Sequence, residues 1–354
     1  MNHPALFDAF PALAQRLARA PLLEGPTPLQ PLAQASQSLG VEVWVKRDDL
    51  SSTVYGGNKP RKLEFILGRA LAEGRRELVT MGAMGTNHGL ATTIHGQRLG
   101  LTTSLELFPQ PLTSVVLRNI KLFQHFGARI NLSPTMERAF LRFRYWQRLR
   151  RPGACFIPAG GSSPLGAVGY VSAGLELAGQ LAAGQGPRPQ AVFVAAGTLG
   201  SQAGLRLGLL LAGQDIPVIG VAVVPLAAAN AKAALNLARR TLALLRAADP
   251  SVPELTLAAE DFVIDPGQLG PGYGQPTPAA LAAMDLLSRQ EGLSLEPTYT
   301  AKAFAGLCAW AQERPGQGPL LFWHTYNSAR LDHLADQVDP AGLPEALRKY
   351  FLAQ

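Results

Sequence analysis

The chain is expected to fold as an α/β protein, with mostly parallel sheets flanked by helices. Three observations predict this. Apolar runs near 77–82, 102–108, 128–132, 154–158, 191–196, 216–224, 261–265 and 319–324 alternate with helical periodicity, which implies parallel strands joined by crossover helices. Turns rich in glycine and hydroxyl residues sit where strands run into helices, the place where such folds carry their sites. The 354 residues, 47% hydrophobic and 16% charged, suffice for one large or two modest globular units.

Taken in order, the first forty residues offer a short amphipathic segment and then GPTPLQPL (Gly25 to Leu32), an extended proline-rich entry that cannot be continuous helix. From Val41, VEVWVKRDDL alternates apolar and polar side chains and reads as a strand ending at Arg47 to Asp49. The stretch from Tyr55 to Leu71 follows at once. Its apolar positions 63, 66, 67, 70 and 71 mark one buried helical face, and Gly74 supplies a stop. Asn58 suits the N-cap and Pro60 the first turn, which places Lys59 at the helix N-terminus.

A lysine there is electrostatically disfavoured as an ammonium by the helix dipole and by Arg61 and Lys62. A depressed pKa is what a Schiff-base lysine needs, because only the neutral amine attacks a carbonyl. The alternative at this point is an ordinary exposed basic first turn.

Beyond Gly74, the strand RELVTMGA runs into Gly85, Thr86, Asn87 and His88 and then into a helix, gathering donors that suit a carboxylate; plain capping by Thr86 or Asn87 is the competing reading. His88 and His95 stand seven apart with no acidic or cysteine partner at ligand spacing, so no metal is expected. From Pro158, PAGGSSPLGAVGY is another glycine and hydroxyl turn, and a Pro and Gly linker spans Gly184 to Pro189. The turn GTLGSQAGL then places Gly197, Thr198, Leu199, Gly200 and Ser201 between a strand and an apolar helix. Its amides and hydroxyls suit a phosphate, although close packing explains the glycines equally well. It is neither a Walker loop nor GxGxxG, and Asp215 precedes the next strand rather than ending it, which weakens a dinucleotide reading. Tyr273 lies in a glycine turn, Tyr299 just before a helix, and His324 and Thr325 at the end of an apolar strand.

Several classes are disfavoured. The apolar run from Ile216 to Ala229 contains two prolines and is too short to span a bilayer, and Asp8 precedes any long apolar segment, so a soluble, cytoplasmic, untargeted protein is expected, with no membrane partner. Cys155 and Cys308 are far apart and suit small core residues. The net charge of +7 raises nucleic acid as a partner, with Arg138 to Arg151 as the tempting segment. Met136, Ala139, Phe140, Phe143 and Trp146 fall on one helical stripe, however, so an amphipathic surface helix is expected instead.

One cofactor would use these features together. Pyridoxal 5'-phosphate has an aldehyde for Lys59, a phosphate for the turn at Gly197 to Ser201 and a ring nitrogen for a hydroxyl. With GPTPL at Gly25, KRDDL at Lys46, GGNKPRKLE at Gly56, TNH at Thr86, PAGGSSPLGAVGY, GTLGSQAGL, YTAKAF at Tyr299 and HT at His324, the sequence resembles the fold-type II pyridoxal-phosphate enzymes, the tryptophan synthase β-like fold. Within them it is similar to the family of D-cysteine desulfhydrase and 1-aminocyclopropane-1-carboxylate deaminase. The resemblance covers most of the chain and makes Lys59 a strong Schiff-base candidate.

The resemblance implies two domains, a large cofactor-binding one (1–62 and 171–354) and a small one (63–170), in a homodimer acting on a small amino acid. It implies that Lys59 holds the cofactor and shuttles the α-proton, that Asn87 bonds the cofactor's phenolic oxygen, and that Thr86 lies beside the substrate carboxylate, with His88 following. Gly197, Thr198, Leu199, Gly200 and Ser201 would bind phosphate, Tyr273 and Tyr299 would stack on the ring or act on the leaving group, and Thr325 would partner the ring nitrogen. Hydroxyls at Thr300 and Thr325, where deaminases of the family carry glutamate and leucine, look like the desulfhydrase side. The implied reaction is α,β-elimination giving pyruvate and ammonia, with cyclopropane ring opening or elimination from cysteate or another β-substituted amino acid as alternatives. A pyridoxal-phosphate protein without turnover, and a plain nucleotide-binding protein, are readings of another class. The chain departs from the family where Tyr326 and Asn327 replace two glycines, expected to place bulk near the ring or the substrate entrance, and where Gly85 replaces a larger residue.

Overall fold

The computed structural model describes residues 3–149 and 153–351. They hold ten strands: β1 (Leu29–Pro31), β2 (Val43–Lys46), β3 (Glu77–Ala83), β4 (Thr102–Phe108), β5 (Arg129–Leu132), β6 (Ala154–Ile157), β7 (Ala191–Ala196), β8 (Val218–Ala222), β9 (Ile264–Asp265) and β10 (Leu320–Trp323). The chain divides into two compact units, one made of residues up to Phe65 with Ser162–Ser328, the other of Ile66–Gly161 with the residues from Ala329 onward. The expected α/β architecture with mostly parallel sheets is what forms.

In the first unit the six strands run in the order β1-β2-β10-β7-β8-β9, and every pairing is parallel except β1 with β2. Strand β10, LLFW, is buried along its whole length because both faces are covered. Side chains alternate across a strand, so Leu320 and Phe322 join Val43, Val45 and Phe193 on one face, against Ala303, Phe304 and Leu307 of the helix Thr300–Glu313. Leu321 and Trp323 join Val192 and Val194 on the other, against Tyr170 of the helix Pro164–Ala182 and Leu205 and Leu209 of the helix Gly200–Leu211. Strand β1 lies inside the proline-rich entry, where only an extended segment was foreseen. Pro31 is tolerated because β1 lies at the sheet's edge.

The second unit carries four parallel strands in the order β5-β4-β3-β6. Val79 and Met81 of β3 pack against Ala139 and Phe143 of the helix Met136–Arg148, and Phe143 meets Phe156 edge to face at 5.6 Å. That helix buries less than the sequence pattern suggested. Met136 and Phe140 are exposed, because only Ala139 and Phe143 reach the core, while Arg138, Arg142, Arg144 and Arg148 are exposed as expected and Arg150 and Arg151 lie outside the described residues. Among the described residues no helix is long and apolar enough to cross a membrane. Cys155 is buried and Cys308 half-buried, and burial pushes the Cys308 thiol up to about 12.

Candidate active site

The end of β2 and the start of the helix Asn58–Ala72 are joined by a loop whose backbone is closely surrounded within the first unit. A Cβ at Gly56 would lie 2.2 Å from the Asp49 carbonyl oxygen, and one at Gly57 would lie 2.6 Å from that of Thr325. Gly57 also has φ of 86°, so glycine is required there on both counts. The Gly57 N–H donates to the Asp48 carbonyl at 2.8 Å and the Asn58 N–H to the Thr325 carbonyl at 3.1 Å. Asn327 accepts the Gly56 N–H through Oδ1 at 2.7 Å and is buried. The loop before Lys59 is thus fixed to the end of β10, and Tyr326 beside it is half-buried.

Lys59 is partly buried, and burial lowers its pKa to about 8 against a partial restoring effect from the Glu296 carboxylate. The depressed value agrees with the sequence reading, but the cause does not lie in its basic neighbours. Arg61 is 1% exposed and its guanidinium is enclosed by Asp48 and Glu176, with Nη2 2.7 Å from Asp48 Oδ1 and Nη1 2.9 Å from Glu176 Oε2. Asp48 also accepts from Tyr170 at 2.8 Å, Trp323 at 2.7 Å and Thr27 at 3.0 Å, and Lys46 donates to Glu176. Lys62 is buried as well, so the first turn is not the exposed basic surface that was the alternative.

Lys62 points at the glycine turn after β7. Its Nζ donates to Ser162 Oγ at 3.2 Å, and Ser162 Oγ accepts the Gly200 N–H at 3.2 Å and lies 2.7 Å from Thr198 Oγ1. Asn58 Nδ2 donates to Ser201 Oγ at 3.1 Å. Leu199, in left-handed conformation with φ of 65°, precedes the helix Gly200–Leu211 and turns the chain into it. A non-glycine residue in that conformation is strained and persists where its surroundings hold it. Ser163, the second serine of PAGGSSPLGAVGY, caps the helix Pro164–Ala182 by accepting the Gly166 N–H, whereas Ser162 belongs to the turn. Hydroxyls, amides and an amine converge here at a helix N-terminus, a donor set that fits a phosphate dianion. Burial and then Lys59 hold Lys62 well below the ordinary lysine range, and an anion in the turn would favour its charged form.

Tyr299 comes within the same neighbourhood, since a Cβ at Gly197 would touch its Cε1 at 3.5 Å. Its hydroxyl lies 2.7 Å from that of Tyr273, and the rings meet edge to face at 6.0 Å. Burial raises both phenols, Tyr299 the more strongly because Tyr273 adds to it. Glu296, buried, accepts the N–H groups of Thr298, Tyr299 and Thr300. Thr300 is 1% exposed and its hydroxyl accepts the Glu296 N–H at 2.9 Å. Lys302 donates to the carbonyls of Leu269 and Gly272 at 2.8 and 3.1 Å and so fastens the turn bearing Tyr273. Thr325 is buried at the end of β10 next to His324, whose ring stacks on Phe322. The first unit therefore brings together Lys59, Gly197 to Ser201, Tyr273, Tyr299, Thr300, Thr325 and Tyr326.

In the second unit, β3 leads into the helix Asn87–Arg98, capped by Thr86, whose Oγ1 accepts the Gly89 N–H at 3.2 Å. Thr86 and Asn87 are half-buried. His88 is buried and its Nε2 meets Thr80 Oγ1 at 3.0 Å.

Residues 20–325 match the family model described as pyridoxal-phosphate dependent enzyme. The chain belongs to that family. Its cofactor is pyridoxal phosphate and its fold is that of fold type II. D-cysteine desulfhydrases of Salmonella paratyphi C (strain RKS4594) and Salmonella choleraesuis (strain SC-B67) are each 36% identical to this pyridoxal-phosphate enzyme over 322 residues, 88% of this chain and 94% of theirs. A solved ACC deaminase homologue superposes with a TM-score of 0.75 at 30% identity, covering 95% of this chain and 98% of the other. A fungal L-serine ammonia-lyase from Rhizomucor miehei shares the fold at a TM-score of 0.61 and 19% identity, over 88% and 96% of the two chains.

In the sequence of this pyridoxal-phosphate enzyme Asn58 was read only as a helix cap and Lys62 only as a basic neighbour of Lys59, while Ser162, Glu296 and Lys302 were not singled out. Lys62 lies in the same turn as Lys59, and Ser162 stands in a turn already noted for its hydroxyls. Glu296 and Lys302 flank Tyr299 by three residues on either side, the one signal that pointed to them.

Proposed function

We propose that this enzyme is a lyase carrying out α,β-elimination on a small β-substituted amino acid, with D-cysteine as the substrate and pyruvate, ammonia and sulfide as products. The observation that carries the choice is the 36% identity to D-cysteine desulfhydrases over 88% of the chain, supported by hydroxyls at Thr300 and Thr325.

Lys59 would hold the cofactor and, with a pKa of about 8, take the α-proton near neutral pH. Pyridoxal phosphate, when bound, supplies an electron-withdrawing ring that stabilises charge developing at the α-carbon. Gly197, Thr198, Leu199, Gly200 and Ser201, joined by Ser162 and Lys62, would hold its phosphate. Thr325 would face the ring nitrogen as a neutral partner, and Asn87 the phenolic oxygen. Thr86, Asn87 and His88 would bind the substrate carboxylate. Tyr273 and Tyr299 form a pair able to pass a proton to the departing β-substituent, while Thr300 and Tyr326 would shape the substrate's surroundings. The unit bearing Lys59 would be the large cofactor-binding domain. We also propose a homodimer in the cytoplasm.

The second reading is 1-aminocyclopropane-1-carboxylate deaminase activity, favoured by the structural similarity to an ACC deaminase homologue. One assay separates the two. Pyruvate is measured from D-cysteine, L-cysteine, D-serine, cysteate and β-chloroalanine, and 2-oxobutyrate from the cyclopropane substrate. Pyruvate from D-cysteine is expected, and activity confined to the cyclopropane substrate overturns the proposal.

A further inference from the structure

Asn119 lies at the middle of the helix Ser114–His125, fully buried, and uses one amide nitrogen twice. Its Nδ2 donates to the Gly85 carbonyl at 2.9 Å and to Asn87 Oδ1 at 3.2 Å. A carbonyl can only accept, so Gly85 fixes which edge of the Asn119 amide faces this way. The second proton on that nitrogen then requires an acceptor from Asn87. Asn87 must turn its oxygen to Asn119, which leaves its Nδ2 as the edge presented on the other side.

Two further observations bear on this relay. Asn119 Oδ1 accepts nothing among the described residues, so a buried acceptor is left unsatisfied at a cost in stability, and the donor edge is what the residue contributes. Gly85 permits the approach, since a Cβ there would lie 2.7 Å from Val116 Cγ2 and 3.1 Å from its Cα, on the same helix as Asn119. The Gly85 peptide is also held from its other side, where its N–H donates to Gln110 Oε1 at 3.3 Å. Glycine at position 85 thus goes together with Asn119 reaching the Asn87 turn.

We propose that Asn119 is a positioning residue that locks the Asn87 amide with its nitrogen toward the cofactor's phenolic oxygen. This rests on the functional reading above, in which Asn87 meets that oxygen. A donor there stabilises the deprotonated oxygen, so losing it makes the bound cofactor hold its proton to higher pH.

The test titrates the visible absorbance of the bound cofactor against pH in the wild-type holoenzyme and in Asn119→Leu and Asn119→Asp. Asn119→Leu should raise the midpoint by about one pH unit, the size expected for a hydrogen bond to a charged group. Asn119→Asp should raise it at least as far, because a carboxylate draws the Asn87 nitrogen toward itself. Unchanged midpoints in folded variants overturn the proposal. Should both variants fail to fold, a high-resolution crystal structure of the wild-type holoenzyme decides it: the Asn87 nitrogen at the phenolic oxygen supports the lock, and the oxygen there overturns it. The functional reading fails separately, if the wild-type protein takes up no pyridoxal phosphate or if Lys59→Ala retains the absorbance.

Discussion

The hydroxyls of Tyr273 and Tyr299 lie 2.7 Å apart and share one proton-bearing contact, although the residues reach it from a loop and a helix start 26 positions apart in the chain. Groups that act as a unit lose their effect together. Tyr273→Phe and Tyr299→Phe should each lower kcat/KM for elimination by about 10²-fold, in the range of a lost general acid or base. The double variant should lose little more. Additive losses in this double-mutant cycle would show that the two phenols work independently.

Lys302 should matter through Tyr273. With its two bonds to Leu269 and Gly272 removed in Lys302→Met, the turn is released and kcat should fall by about tenfold, the equivalent of one ordinary hydrogen bond. In a Tyr273→Phe background the same change should cost almost nothing further. A full tenfold loss there would mean that Lys302 acts by some other route.

Lys59 sets a pH dependence on the alkaline side. Its folded pKa of about 8 is below the ordinary lysine value, so the unfolded chain binds the extra proton between the two. The apoprotein should therefore gain stability from this group as pH rises above 8, up to the ordinary lysine value. Uptake of pyridoxal phosphate should accelerate through pH 8 and then level off, as followed by stopped-flow absorbance. A rate still climbing well above pH 9 would place the reactive amine elsewhere.

The buried cluster around Arg61 predicts an acid limb. Burial alone would raise Glu176, but Arg61 and Lys46 overcome it and bring the carboxylate to about 2. Its stabilising contribution is complete above the ordinary glutamate range and disappears as pH falls toward 2. Glu176→Gln should lower unfolding stability at pH 7 by about 3–5 kcal/mol, the cost of stranding a buried charge, and flatten the loss between pH 4.5 and 2. Urea unfolding at several pH values measures both effects.

Much of the fold was legible because most of the described strands are short, largely apolar runs that alternate with helical periodicity, and the pattern reports such runs directly. Strands β3 to β8 and β10 fall where the pattern placed them. The candidate residues were legible as turns at strand ends, since glycine and hydroxyl residues leave a local mark. Their partners left none. Gly56 with Asn327, Lys62 with Ser162, and Arg61 with Glu176 join segments 100 or more positions apart, and nothing in a local pattern encodes that pairing. The source of the Lys59 shift was misread for the same reason: the carboxylates that enclose Arg61 come from elsewhere in the chain. Met136 and Phe140 show the opposite error. The stripe they share with Phe143 is real, but a helix resting on one side of a four-stranded sheet buries a narrower seam than the stripe is wide.

The two strands that close the first unit's sheet are both stubs. Strand β1 spans three residues and includes Pro31, which has no amide proton to offer, and β9 spans two. A sheet of four longer parallel strands between such ends offers a second chain almost no ladder to extend. The proline-rich entry that precedes Lys59 thus leaves this edge of the sheet with little backbone for another strand to pair with.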